Sequence, residues 1–324
     1  MARQNVTWRA LLIMTVAAST VRCAGTVRPA APPVSIPMSA WWEAPAGLGD
    51  RALFYGPWGR QYAPDPAAEY TFVRPKVGGF NPGVVVHDPQ GREWHVKQPS
   101  RSHGDEGPAE VVLSRVLSAL GYHQPPVYYL PSFTMRDGSG VHTERGGRFR
   151  LDDSSMKDQG EWSWQQNPFV GQRPYQALLV ILLMFNSSDL KNSNNTLYHV
   201  TRGGPSVEWY VVRDLGDALG RTGRFAPQRN NLEVFAQTRF ITGVRDGFVQ
   251  FDYHGLHQEL VRNRITPGDV KWAARLVGGL TDRQWHDAFE AGGYAPGPAA
   301  QFIDILRHRI ADARRIGEQS LSTD

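Results

Sequence analysis

A single cysteine, Cys23, stands in the 324 residues. One thiol excludes an internal disulfide framework and a cysteine-based metal site, and a chain cut just after it has no thiol nucleophile. No apolar stretch approaches the roughly 20 residues that a membrane-crossing helix needs. The two candidates, Ala10 to Ala18 and Ala177 to Phe185, are nine residues each. Basic residues form no block long enough to suggest nucleic acid, and the net charge is only +4. A mildly basic balance also suits a site for polyphosphate, so charge does not discriminate. There is no G-x-S-x-G elbow for a serine hydrolase. His254 and His257 lack a carboxylate at metal-ligand spacing, which makes a metal hydrolase a poor reading. No internal repeat is evident. What is present, 41% hydrophobic and 20% charged residues, is ordinary for a globular chain long enough for one large domain or two lobes.

The first 24 residues read as an export signal. Arg3 and Arg9 flank a short charged region, Ala10 to Ala18 is apolar, and small residues follow. Cleavage is expected near Ala24, giving a periplasmic or extracellular protein. Cys23 could instead carry lipid, although Arg22 stands where a small residue should precede a lipoprotein cysteine. Residues 25–69 are rich in Pro, Gly and Ala and start as a linker. Their aromatics, Trp41, Trp42, Tyr55, Trp58 and Tyr62, are expected to pack on the domain; a sugar- or wall-binding arm is the alternative.

Three strands follow. Tyr70 to Lys76 alternates, a glycine turn spans Val77 to Gly83 with Gly78 and Gly79 in it, Gly83 to His87 is a second strand, and Glu93 to Lys97 is a third. Pro108 to Leu120 is a helix, opened by Pro108 and ended by Gly121, with Val112, Val116 and Leu120 on one face. Glu110 lies in its first turn, where the helix dipole favours a carboxylate in any case. Strands are expected at Pro125 to Pro131, Phe133 to Arg136 and Phe149 to Leu151, around a Gly138–Gly147 loop. Gln172 to Phe185 is a helix, apolar all round at its centre and therefore buried. It leads straight into a polar loop, a placement that fixes the loop. Asn195 to Val200 and Ser206 to Val212 read as a hairpin, Phe248 to Tyr253 as a strand, and the C-terminus as helices opening at Thr266, Thr281 and Pro298.

The polar loop reads Asp189-Leu190-Lys191-Asn192-Ser193-Asn194, a D-L-K-x-x-N pattern, and the hairpin ends on Asp214-Leu215-Gly216. With the lysine-bearing third strand and the glutamate-bearing helix, this order resembles the protein-kinase-like superfamily over about Tyr70 to Gly220. Leu215 replaces the usual phenylalanine, Ser187 and Ser188 stand where the family has His-Arg, and the Ala-Pro-Glu landmark is missing. The glycine turn also departs from G-x-G-x-x-G. These departures point to divergent branches: HipA-like, lipid-kinase-like or secretory-kinase-like members.

The resemblance implies an α+β, two-lobed fold. Residues 70–155 would form a small antiparallel-sheet N-lobe with one helix, and residues 156–320 a mainly helical C-lobe. It implies ATP with Mg2+ or Mn2+ as cofactors. Asp189 would face the acceptor hydroxyl and Lys191 the transferred phosphoryl. Asn194 and Asp214 would hold the metal. Lys97, oriented by Glu110 or, failing that, Glu106, would bind phosphates beneath the turn of Gly78 and Gly79. The acceptor could be a protein, lipid, sugar or small-molecule hydroxyl. The alternative is an exported, non-catalytic binding or scaffolding protein on the same fold.

Overall fold

The computed structural model describes residues 36–319 except 79–80, 101–103, 203, 222 and 224–227. The stretch expected to be an export signal, Cys23 and Gly79 lie outside the described residues. The described residues fall within one compact unit, Ile36–Asp324. It is α+β and two-lobed.

The first lobe is built on five strands: β1 (Glu69–Pro75), β2 (Gly83–His87), β3 (Glu93–Lys97), β4 (Val127–Asp137) and β5 (Gly140–Leu151). Alternation sets their faces. In β3, Trp94 and Val96 are wholly buried while Glu93 and His95 turn outward. Tyr70, Trp94, Phe133 and Phe149 meet edge to face in the core, with Phe133 and Phe149 centroids 5.2 Å apart.

Two expectations need correction. The sheet is not simply antiparallel, because β1 runs parallel to β4, pairing Tyr70 with Met135, and this closes a barrel in the order β1-β2-β3-β5-β4. Gly138–Gly147 is not a loop either. The β4–β5 ladder runs on to Asp137 opposite Gly140, leaving a two-residue turn. The polar stretch Val141–Arg145 projects beyond the core, so backbone pairing rather than apolar alternation holds it, and the sequence carries little strand signal there.

Helix α1 (Gly107–Ala119) lies against β4, β5 and a later helix. Its burial is not confined to one face; every residue except Ser118 is buried. That includes Glu110, Ser114 and Arg115, whose polar groups must therefore find partners or cost stability.

The arm ahead of β1 is part of the core. Trp41 is 1% exposed and sits among Trp162, Phe169 and Tyr175, at centroid distances of 5.0–5.5 Å. Trp42 donates its indole N–H to Leu120 O at 2.7 Å and meets Trp272 edge-on. Trp58 packs beneath the barrel beside Tyr128. Tyr55 and Tyr62 of the same arm are half-buried.

The second lobe begins with β6 (Met156–Asp158), which joins β7 (Asn195–Val200) and β8 (Val207–Val212) in one small sheet. Between them runs α2 (Arg173–Met184), buried along Ala177–Met184. Then come α3 (Leu232–Gln237), the hairpin β9 (Ile241–Arg245) and β10 (Phe248–Phe251), and helices α4 (Pro267–Val277), α5 (Asp282–Ala291) and α6 (Pro296–Gln319). Thr266 with Asp269, and Thr281 with Gln284, form reciprocal capping boxes that start α4 and α5. The buried Arg309 of α6 donates to Met184 O at 2.8 Å and Asn186 Oδ1 at 2.9 Å, and to Phe235 O and Thr238 O at 3.2 Å. It thus fixes the end of α2 where the chain turns into the Asp189 loop. Among the described residues no helix is long and apolar enough to cross a membrane.

Candidate functional site

Strand β3 carries Lys97 to the barrel end that faces the second lobe, where the residue is 8% exposed. A buried ammonium needs counter-charges. Lys97 Nζ lies 2.6 Å from Glu106 Oε2, 3.4 Å from Glu110 Oε2 and 3.6 Å from Asp214 Oδ1. Burial opposes its charge, but Glu110, Asp214 and Glu106 together more than offset this and hold its pKa above the ordinary value. Both candidate glutamates thus reach the lysine, and Glu106 is the nearer. Glu110 also takes Arg148 Nε at 2.9 Å from the neighbouring strand. Glu106 shares its second oxygen with Arg229, which binds Asp217 at 2.9 Å. Helix α1 and the segment after Gly216 are therefore joined by a buried ionic chain.

The rigid end of α2 presents the polar loop. Lys191 Nζ is 2.9 Å from the Asp189 carboxylate. Asn194 Nδ2 donates to Asp189 O at 2.9 Å, which leaves the amide oxygen of Asn194 as its free acceptor. Asn194 O in turn accepts from Arg213 N at 2.8 Å, so the loop is tied to the residue before Asp214. Asp214 itself has φ 52°, a left-handed conformation uncommon for a residue with a side chain. Leu215 is buried in the core. Gly216 passes so close to Glu106 that a Cβ there would lie 2.6 Å from Glu106 Cβ and 2.7 Å from Glu106 O. Only glycine allows this approach. Burial pushes the Asp214 carboxyl up, but Lys97, Arg148, Arg150 and Arg213 outweigh it and lower the pKa to about 2. Ser188 donates to Asp217 Oδ2 at 2.7 Å. Burial raises the Asp217 pKa against the pull of Arg229.

These groups line one cleft of about 450 Å³. Its walls carry Lys97, Glu106, Asp189, Lys191, Asn194 and Asp214, with Gly78 at the rim. Seven basic side chains (Lys76, Lys97, Arg148, Arg150, Lys191, Arg213, Arg229) face four acidic ones (Glu106, Asp189, Asp214, Asp217). The excess of cations suits a polyanion. Glu110 lies just behind, against Lys97. Gly78 is in the left-handed region at φ 79°, and its carbonyl accepts from Lys76 at 2.6 Å.

Several lining residues carry no local signal. Arg148 and Arg150 arrive because β5 pairs Lys97 with Arg148 and His95 with Arg150, a register visible only once the sheet is formed. Asn81 is 5% exposed, and neither its amide N nor its O has a partner among the described residues. Arg229 comes from the polar segment after Gly220, which the sequence marks only as basic.

The oxygen donors of Asn194 and Asp214 are hard ligands of the kind magnesium takes. They do not form a closed protein cage: among the described residues, the one tight carboxylate–imidazole group is Glu93, His95 and Asp152, on the outside of the barrel. A cation in the cleft would need further oxygens from a ligand, which is how phosphate-bound magnesium is held.

No protein-family model matches the chain, and no curated protein matches its sequence. Among solved structures it is similar to the Helicobacter pylori proinflammatory kinase CtkA. The identity is 12% and the TM-score 0.47, over 77% of this chain and 98% of that one. So distant a likeness supports no functional inference, which must come from the cleft.

Proposed function

We propose that the protein is a phosphotransferase that uses ATP with Mg2+ or Mn2+ and transfers phosphate to a hydroxyl acceptor. The observation that supports this is one convergence. A buried strand lysine with two helix-side glutamates meets Asp189, Lys191, Asn194 and Asp214 across a single cation-rich cleft.

Lys97, fixed by Glu106 and Glu110, binds the nucleotide phosphates, and Arg148 and Arg150 add charge beneath them. Gly78 and the surrounding turn cover the phosphates. Asp189 orients the acceptor hydroxyl and takes up its proton. Lys191 leaves Asp189 to face the transferred phosphoryl, so its charge acts where negative charge gathers. Asn194 and Asp214 hold the metal, which when bound offsets phosphate charge. Lys97 lies 3.6 Å from Asp214. Nucleotide and metal binding would exchange that contact for phosphate and metal contacts.

Calorimetry with ATP and magnesium, beside transfer of labelled phosphate, tests the reading. Asp214→Asn should weaken nucleotide binding and stop turnover. Asp189→Asn should bind nucleotide nearly as well as wild type while transfer falls roughly 10²-fold or more. Wild type that binds no nucleotide rejects the proposal. Binding without transfer to any envelope acceptor would favour a non-catalytic role on this fold.

A further inference from the structure

The outer face of the barrel carries a group of metal-ligating side chains that shares no residue with the cleft. Strand register assembles it. Glu93 and His95 stand two apart on β3 and so share the face opposite the buried Trp94 and Val96. The β3–β5 ladder pairs Trp94 with Leu151, and Asp152 N donates to Glu93 O at 2.9 Å, which sets Asp152 beside Glu93. His87 of β2 pairs with Glu93 from the other side.

Glu93, His95 and Asp152 each bring one ligand atom within 4.8 Å of the other two. His95 Nε2 lies 3.3 Å from Glu93 Oε1. Tetrahedral zinc, with bonds of about 2.0–2.2 Å, holds neighbouring ligand atoms roughly 3.3–3.6 Å apart. His87 Nε2 is 3.5 Å from Glu93 Oε2, so the second oxygen of that carboxylate has its own neighbour, as ligating carboxylates commonly do. A cation can reach the group from solvent: the His95 and Glu93 side chains are 28% and 27% exposed, and Asp152 is exposed. His95 and Asp152 also line a cavity of about 440 Å³ on this side of the barrel. Burial and the nearby Arg150 hold the His95 pKa below its ordinary value, so at neutral pH the imidazole is neutral and keeps a lone pair for a metal.

Two carboxylates side by side on a sheet repel. Arg74 Nη2 lies 3.2 Å from Glu93 Oε1, but its side chain is 48% exposed, and an ion pair so placed is weakly held. It competes for the ligand oxygen without closing the site. One imidazole nitrogen and two carboxylate oxygens differ both from the sulfur sets of soft metals and from the all-oxygen sets of magnesium and calcium.

We propose that Glu93, His95 and Asp152 bind one divalent cation of the zinc class, through Glu93 Oε1, His95 Nε2 and an Asp152 carboxylate oxygen, with water in the remaining position. The site needs no nucleotide and does not depend on the function proposed for the cleft.

Zinc chloride titrated calorimetrically into the full-length protein, without nucleotide and in a buffer that does not bind metal, tests this. One saturable site per chain is expected, with magnesium and calcium at least tenfold weaker. His95→Gln and Asp152→Asn should each weaken zinc roughly tenfold or more, at least the scale of a lost outer-shell partner. Both residues lie on the outer face, so circular dichroism should stay native, and the exposed Asp152 decides the matter if His95→Gln does not fold. Arg74→Met removes the competing guanidinium and should tighten zinc. His199→Gln, which removes the histidine of another carboxylate pair, that with Glu208, should leave the affinity unchanged. No saturable zinc site in wild type, or undiminished binding by folded His95→Gln or Asp152→Asn, overturns the proposal. Magnesium or calcium binding as tight as zinc overturns the assignment of a nitrogen-ligated cation.

Discussion

Asp214 shows how far one side chain depends on its neighbours. It opens onto the cleft, yet four cations hold its pKa near 2. The folded value lies below the ordinary aspartate value of 3.8, so the stability it contributes is complete above about pH 4 and is lost as pH falls through about 2. Carboxyl NMR should therefore find the Asp214 midpoint near 2 in wild type and higher in Lys97→Met, because Lys97 is the strongest of the opposing charges. A midpoint near 4 in both would contradict the network. At this scale the sequence was informative where chemistry is local. Lys97 ends a short alternating strand, and Asp189, Lys191 and Asn194 fall within six residues. It was uninformative about Arg148 and Asn81, whose positions depend on strand register and on burial. The preference for Glu110 over Glu106 followed from the first-turn position. Glu106 gains its closer contact from the loop before the helix, which no periodicity describes.

Among the elements, α2 and α6 show how the Asp189 loop is held still. The sequence marks α2 as buried through its continuous apolar run, and the capping boxes mark the starts of α4 and α5. Arg309 carries no such mark, since an arginine on an otherwise amphipathic helix ordinarily reads as solvated. In the fold it joins the end of α2 to the residues after α3 through charged hydrogen bonds, and burial lowers its pKa to about 9. Arg309→Met leaves Met184 O and Thr238 O without this donor. It should cost roughly 2–4 kcal/mol in urea unfolding and disorder the loop. A loss below about 0.5 kcal/mol, the level of an ordinary surface substitution, would show that the contacts are incidental. The β4–β5 hairpin and the β1–β4 closure escaped the sequence for a related reason: both are backbone pairings between segments with mixed side chains.

On the scale of the whole molecule, the arm makes the two lobes one cooperative body. Trp41 is surrounded by rings from the second lobe, Trp42 bonds the end of α1 in the first, and Trp58 stacks on Arg115. Trp41→Ala should cost about 3–5 kcal/mol, the range for a deleted core tryptophan. The urea midpoint should fall with little change in slope, since the two lobes still unfold together. A biphasic transition would instead mean that the lobes part once the ring is gone. The same placement imposes an order of events on the growing chain. Trp41 leaves the ribosome early, but Trp162, Tyr175 and Tyr210 follow well over a hundred residues later, and the Trp272 partner of Trp42 later still. At synthesis rates of about 5–20 residues per second the two rings wait roughly 6–46 s before a surface exists to receive them. The arm is thus made before the surfaces that receive it and is among the last segments to dock, and a nascent chain carries it as an open, aromatic handle that a chaperone can grip.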